Sequence, residues 1–90
     1  MIEREVTVNN RAGIHARPAA MIVQTASRYE SKIMLGKADE EINAKSIMGI
    51  ITLGAGYDTV LTLKVEGPDE QEAADALGNL FENRFQEEPA

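Results

Sequence analysis

The chain has no cysteine and a single histidine among its ninety residues. Without cysteine there is no disulfide staple and no thiolate metal site. One imidazole also excludes the histidine clusters that hold metal ions, so no metal and no cofactor is expected. Long apolar runs are missing too: the longest uncharged stretch, Ser46 to Tyr57, is too short and too rich in glycine to span a bilayer. Glu3, Arg4 and Glu5 interrupt the start before an apolar segment could build. No signal peptide is therefore read, and a cytoplasmic protein without membrane insertion is expected. Ninety residues leave room for one hydrophobic core, so a single domain over 1–90 is expected.

The net charge of −6 comes from nine basic and fifteen acidic residues, a balance that argues against binding nucleic acid. The acids are unevenly placed. From Glu66 onward there are eight of them against Arg84 alone, whereas residues 1–65 carry a net of +1. Arg11, Arg17 and Lys45 are expected to accompany a basic edge, and the acidic outer face of the last helix reads as solvated.

Residues Ile2 to Val8 alternate with strand period, although Arg4 falls on the inner face and must fray or snorkel. Asn9 to Gly13 reads as a loop. A helix starts at Ala16, with Ala19, Ile22, Val23 and Ala26 on one face and Pro18 tolerated in its first turn, and is expected to end near Arg28 or Tyr29. Lys32–Leu35 and Glu41–Asn43 form a hairpin around Gly36 to Asp39. Ser46 caps a short helix, Ile47 to Leu53, that closes at Gly54. Thr59–Glu66 is the clearest strand, and Gly67-Pro68 breaks it. Asp69 and Glu72 then read as a D-x-x-E capping pair for a terminal helix with Ala73, Ala76, Leu77, Leu80 and Phe81 inward. The order β-α-β-β-α-β-α predicts an α+β open-faced β-sandwich, a four-stranded antiparallel sheet with three helices on one face.

The richest stretch for chemistry is Gly13-Ile14-His15-Ala16-Arg17-Pro18-Ala19. His15 stands at the junction of loop and helix, just ahead of unpaired N–H groups and the positive end of the helix dipole, a place that favours an anion. Arg17 adds a guanidinium suited to phosphate oxygens. Small neighbours at Gly13, Ala16 and Ala20 leave the imidazole unshielded. An exposed imidazole in this setting suits transient phosphorylation, because its ring nitrogen is nucleophilic at neutral pH and the positive ends stabilise a transferring phosphoryl group. The plainer alternative is that His15 caps the helix and Arg17 pairs with a carboxylate.

Lys45-Ser46-Ile47-Met48-Gly49-Ile50 is the second signal. The helix behind the Ser46 cap is apolar nearly all round. If Ile50 and Leu53 face the sheet, Ile47, Met48 and Ile51 must point outward, and such a patch marks a partner surface. Gly54-Ala55-Gly56 lacks the spacing of a nucleotide loop and reads as a turn. Tyr29 and Tyr57 carry no motif.

Together, the two motifs resemble the HPr family, the histidine-containing phosphocarriers of the bacterial phosphoenolpyruvate-dependent sugar phosphotransferase system. The resemblance covers essentially the whole chain. It implies that His15 accepts a phosphoryl group on Nδ1 from phosphorylated enzyme I and passes it to enzyme IIA domains, acting as a stoichiometric carrier and a monomer. It implies that Arg17 and the N–H groups of Ala16 and Arg17 bind the phosphate. Ser46 matches the serine modified by HPr kinase/phosphorylase in many bacteria, with transcriptional regulators as further partners. Ala16, Arg17, Ala20, Ile47, Met48 and Ile51 fall on the shared docking surface. The acidic Gln86-Glu87-Glu88 tail resembles that of the nitrogen-branch paralogue, whose outputs are regulatory. Two other classes stay open: a regulatory module acting through Ser46 and the apolar patch, and an unrelated α+β domain with a structural histidine.

Overall fold

The alternation of Leu61, Leu63 and Val65 with Thr62, Lys64 and Glu66 settles how the sheet is built, because only one of its faces is apolar. The computed structural model describes residues 1–86. It shows β1 (Ile2–Thr7), α1 (Ala16–Ala26), β2 (Lys32–Lys37), β3 (Glu40–Asn43), α2 (Ile47–Leu53), β4 (Val60–Glu66) and α3 (Glu70–Glu82), the expected order. The strands form one antiparallel sheet in the order β1-β4-β2-β3. The register places Val6 opposite Leu61, and Val65 between Ile2 and Ile33, so one row of apolar side chains crosses the sheet. The three helices cover this row. Ile22, Ala73, Leu77 and Phe81 are buried against it, while the other face carries Glu3, Glu5, Thr62 and an ion pair from Lys64 Nζ to Glu41 Oε2 at 3.3 Å.

Arg4 lies on the apolar face and snorkels across α3. Its Nη1 donates to the Ala74 carbonyl at 3.4 Å and to Asp75 Oδ1 at 3.1 Å. It passes over Gly78, where a Cβ would stand 3.5 Å from that nitrogen, an ordinary van der Waals contact.

Several boundaries differ from the sequence expectation, each for a local reason. Helix α1 stops at Ala26, because the N–H groups of Arg28 and Tyr29 bond to carbonyls three residues back, those of Thr25 and Ala26, and tighten the exit. The β2–β3 hairpin is longer than its apolar residues alone indicate: Lys37 pairs with Glu40, leaving only Ala38 and Asp39 in the turn, with Ala38 at φ +54°. Strand β4 starts one residue late, at Val60, since the Thr59 N–H closes a turn onto the Gly56 carbonyl.

The D-x-x-E capping pair is not formed. Asp69 is the N-cap of α3, yet its side chain makes no capping bond, because its oxygens accept instead from the Glu30 N–H, the Ser31 N–H and the Ser31 hydroxyl. Glu70 Oε1 accepts from the Gly67 N–H at 3.1 Å in the place of Glu72. After α3 the chain turns through Arg84–Gln86, and Phe85, at φ +54°, is fully buried edge-on to Phe81 with ring centroids 5.0 Å apart. Glu87 and Glu88 of the acidic tail lie outside the described residues.

Candidate functional site

The site starts from a loop that is fixed before the helix begins. Asn10 to Gly13 form a turn in which the Gly13 N–H donates to the Asn10 carbonyl at 3.0 Å, and the Ile14 N–H donates to the Ala55 carbonyl at 2.9 Å. Gly13 adopts φ +74°, and a Cβ there would lie 3.0 Å from Gly56 Cα, so this close approach to the α2–β4 turn requires glycine. Sequence reasoning read Gly54-Ala55-Gly56 only as a turn; in the fold it braces the His15 loop. No sequence signal ties those two segments together.

His15 is the N-cap of α1, with extended backbone at φ −103° and ψ −162°, and its carbonyl accepts the first helical bond, from the Ala19 N–H at 3.0 Å. Its imidazole makes no capping hydrogen bond, which removes the reading of His15 as a helix cap. His15, Ala16 and Arg17 are all exposed. Helix geometry leaves the N–H groups of Ala16 and Arg17 without an acceptor inside the helix, and Pro18 has none to offer. The first turn holds no acidic residue. The positive end of α1 is therefore uncompensated within that turn, next to an imidazole and a guanidinium, and this arrangement favours a phosphoryl group.

Helices α1 and α2 lie against each other and run in opposite directions. The Ile14–Ala55 bond ties the start of α1 to the end of α2. At the far end, Lys45 Nζ donates to the Tyr29 carbonyl at 2.7 Å. This corrects the expectation for Lys45. Its ammonium holds the exit of α1, about 16 Å along the helix from His15 at the usual rise per residue, and does not accompany the active edge.

Ser46 sits at the same far end, as the N-cap of α2. Its Oγ accepts from the Gly49 N–H at 3.1 Å, and α2 ends at Gly54 in the left-handed region, both as expected. His15 and Ser46 are thus not brought together, and the seven-residue α2 fills the interval. Ile50 and Leu53 are buried, while Ile47, Met48 and Ile51 are 41%, 68% and 43% exposed. The outward apolar face read from periodicity is present. Ala20, one turn beyond Ala16 on α1, is half-buried. Among the described residues no group of acidic or histidine side chains could hold a metal ion, and no helix is long and apolar enough to cross a membrane.

Comparison with known proteins agrees with this geometry. The family model for the PTS HPr component phosphorylation site matches residues 2–83. Phosphocarrier protein HPr of Treponema pallidum is 56% identical over 88 residues, covering 98% of this chain and all of that protein. HPr-like protein Crh of Halalkalibacterium halodurans is 48% identical over 77 residues, 86% of this chain and 92% of that one. Among solved structures, HPr-C-His from Thermoanaerobacter tengcongensis superposes with a TM-score of 0.95 at 48% identity, over 99% of this chain and all of the other. With a family match across nearly the whole length and the same fold in a solved relative, the chain belongs to the HPr family of phosphocarrier proteins of the phosphotransferase system.

Proposed function

We propose that His15 accepts a phosphoryl group from phosphorylated enzyme I and hands it to enzyme IIA domains of the sugar branch. The observation that carries this reading is the exposed His15 imidazole, unengaged as a cap, at the acid-free start of α1. In the forward step the Nδ1 lone pair forms a bond to phosphorus as the bond to the donor breaks, and the donor keeps the electron pair. Arg17 and the N–H groups of Ala16 and Arg17 steady the phosphoryl oxygens, and the same contacts serve the onward transfer. The chain is consumed and regenerated one phosphoryl group at a time, as a cytoplasmic carrier. It acts as a monomer, with one phosphoryl-accepting imidazole per chain.

Docking falls to the outward face of α2, Ile47, Met48 and Ile51, with Ala16, Arg17 and Ala20 beside it. Both kinds of partner must reach the same imidazole, so one shared surface serves them in turn, and a methionine at its centre adapts to each. Ser46 is the regulatory serine, modified by an ATP-dependent kinase of the HPr kinase/phosphorylase type and read by transcriptional regulators. A phosphate at a helix N-terminus is tolerated by the fold, so its effect is negative charge beside the patch.

A second reading is a regulatory module that acts through Ser46 and the apolar patch and forwards no phosphate. The chain is 41% identical to Crh, the Bacillus subtilis catabolite repression HPr, although the presence of His15 favours the carrier. One experiment separates the two. With phosphoenolpyruvate and enzyme I supplied, the carrier reading expects acid-labile phosphate on the chain that disappears in His15→Ala. Absence of label, or label surviving that substitution, overturns it. Acid-stable phosphate on Ser46 after incubation with ATP and a matching kinase tests the regulatory part.

A further inference from the structure

Two polar side chains are fully or almost fully buried among the described residues, Asn10 and Ser31. Burying an amide or hydroxyl is unfavourable unless it is hydrogen-bonded, so each must hold something in place. Ser31 bonds to Asp69 and ties the α1–β2 turn to the start of α3, far from His15. Asn10 does something different. Its Nδ2 donates to the Gly13 carbonyl at 2.6 Å. That carbonyl belongs to the same planar peptide unit as the Ile14 N–H, which donates to the Ala55 carbonyl at 2.9 Å. The peptide unit one residue ahead of His15 is thus held at both ends, by a buried amide on one side and by the α2–β4 turn on the other.

We propose that Asn10 is a positioning residue for phosphoryl transfer: through the Gly13–Ile14 peptide it sets the direction in which His15 presents its imidazole. On its other side His15 is bound into α1 by the Ala19 N–H. Only rotations about Ile14 and the adjoining bonds of His15 separate these two fixed points. With the Gly13 carbonyl released, the loop tilts the imidazole relative to the N–H groups of Ala16 and Arg17, which are rigid parts of the helix. Transfer suffers because a reacting atom displaced by about 1 Å loses up to roughly a hundredfold in rate. Docking does not suffer, since Asn10 is buried and offers no surface to a partner. The inference rests on the carrier reading above and adds to it the group that aims the nucleophile.

The test measures kcat and KM of the chain as phosphoryl acceptor from enzyme I, with phosphoenolpyruvate as the source. Wild type is compared with Asn10→Ala, with Asn10→Asp and with Ser31→Ala. Asn10→Asp keeps the shape and stays available if Asn10→Ala does not fold, while as a carboxylate it cannot donate to Gly13. Ser31→Ala is the control for a lost buried hydrogen bond remote from His15. The expected result is a fall in kcat of about tenfold or more in the folded Asn10 variants. Their KM stays within about twofold of wild type, as expected for a residue outside the interface. Ser31→Ala should keep the kcat of wild type, and amide exchange at Ile14 should accelerate in the Asn10 variants alone. An unchanged kcat in the Asn10 variants, an equal fall in Ser31→Ala, or a rise in KM as the sole effect overturns the proposal. If wild type itself takes no phosphate, the carrier reading fails first and the positioning role falls with it.

Discussion

The carboxylate of Asp69 accepts the backbone N–H groups of Glu30 at 2.9 Å and Ser31 at 3.0 Å, as well as the Ser31 hydroxyl. One side chain at the start of α3 therefore closes the exit of α1, a sequence separation of nearly forty residues. The Ser31 hydroxyl, followed by the Glu30 N–H, holds the Asp69 carboxyl below its ordinary value of 3.8. A lowered pKa in the fold means that the unfolded chain binds the proton more tightly. The stabilisation is complete above the ordinary value and is lost as pH falls below 3.8 through the folded value. In Asp69→Asn, urea midpoints should lie below those of wild type at neutral pH, and the gap should narrow only once the solution is more acidic than about pH 4. A gap that is constant down to strong acid would rule out this linkage.

How far the fold was readable from the sequence follows from the range of each interaction. The helix Ile47–Leu53, its Ser46 cap and Gly54 are local, and both boundaries match the structure. The same holds for the inward row of β4, where period-two alternation has one solution. Asp69 was misread as a local cap because its real partners, Glu30 and Ser31, are distant in sequence. Lys45 was misplaced for the same reason, through its bond to Tyr29. Phe85 is buried by a turn of left-handed residues that no propensity favours, and its contact with Phe81 supplies the compensation. At the site, the motif around His15 was legible as chemistry, whereas Asn10, Ala55 and Gly56 were not, since what makes them matter is the contact of two loops.

Gly13→Ala should destabilise the fold by about 1–3 kcal/mol, the range for a residue with a side chain held in the left-handed region. Space adds to the cost, because the new Cβ would meet backbone on the other loop, Gly56 Cα at 3.0 Å and the Ala55 carbonyl oxygen at 3.1 Å. Neither atom belongs to a flexible side chain that could step aside. Urea denaturation at unchanged m-value measures the loss. A Gly13→Ala chain as stable as wild type would mean that the loop contact is not a constraint.

Ser46→Ala removes the acceptor for the Gly49 N–H and should cost roughly 1 kcal/mol of stability, the usual worth of such a cap. Ser46→Asp keeps an acceptor and adds a negative charge at the positive end of α2, so its stability should stay within about 0.5 kcal/mol of wild type. The two variants therefore separate the cap from the charge. If charge beside the apolar face regulates docking, Ser46→Asp slows transfer from enzyme I whereas Ser46→Ala does not. Equal rates for wild type and Ser46→Asp would leave the serine with a capping role alone.

Met48 is the most exposed of the three outward residues of α2, at 68%, and makes little contribution to the core. Met48→Ala should change folding stability by less than about 0.5 kcal/mol, because alanine is at least as good a helix former. A methionine at the centre of a docking surface is worth more to binding than to folding, and truncating such a residue costs about 1–2 kcal/mol. That corresponds to a rise in KM for enzyme I of roughly five- to thirtyfold with kcat largely kept. Thr52, also exposed on α2 but not part of the apolar patch, provides the comparison, and Thr52→Ala should leave KM unchanged. Equal KM values for the two variants would move the docking surface away from the outward face of α2, and the exposed apolar residues there would then need another occupant.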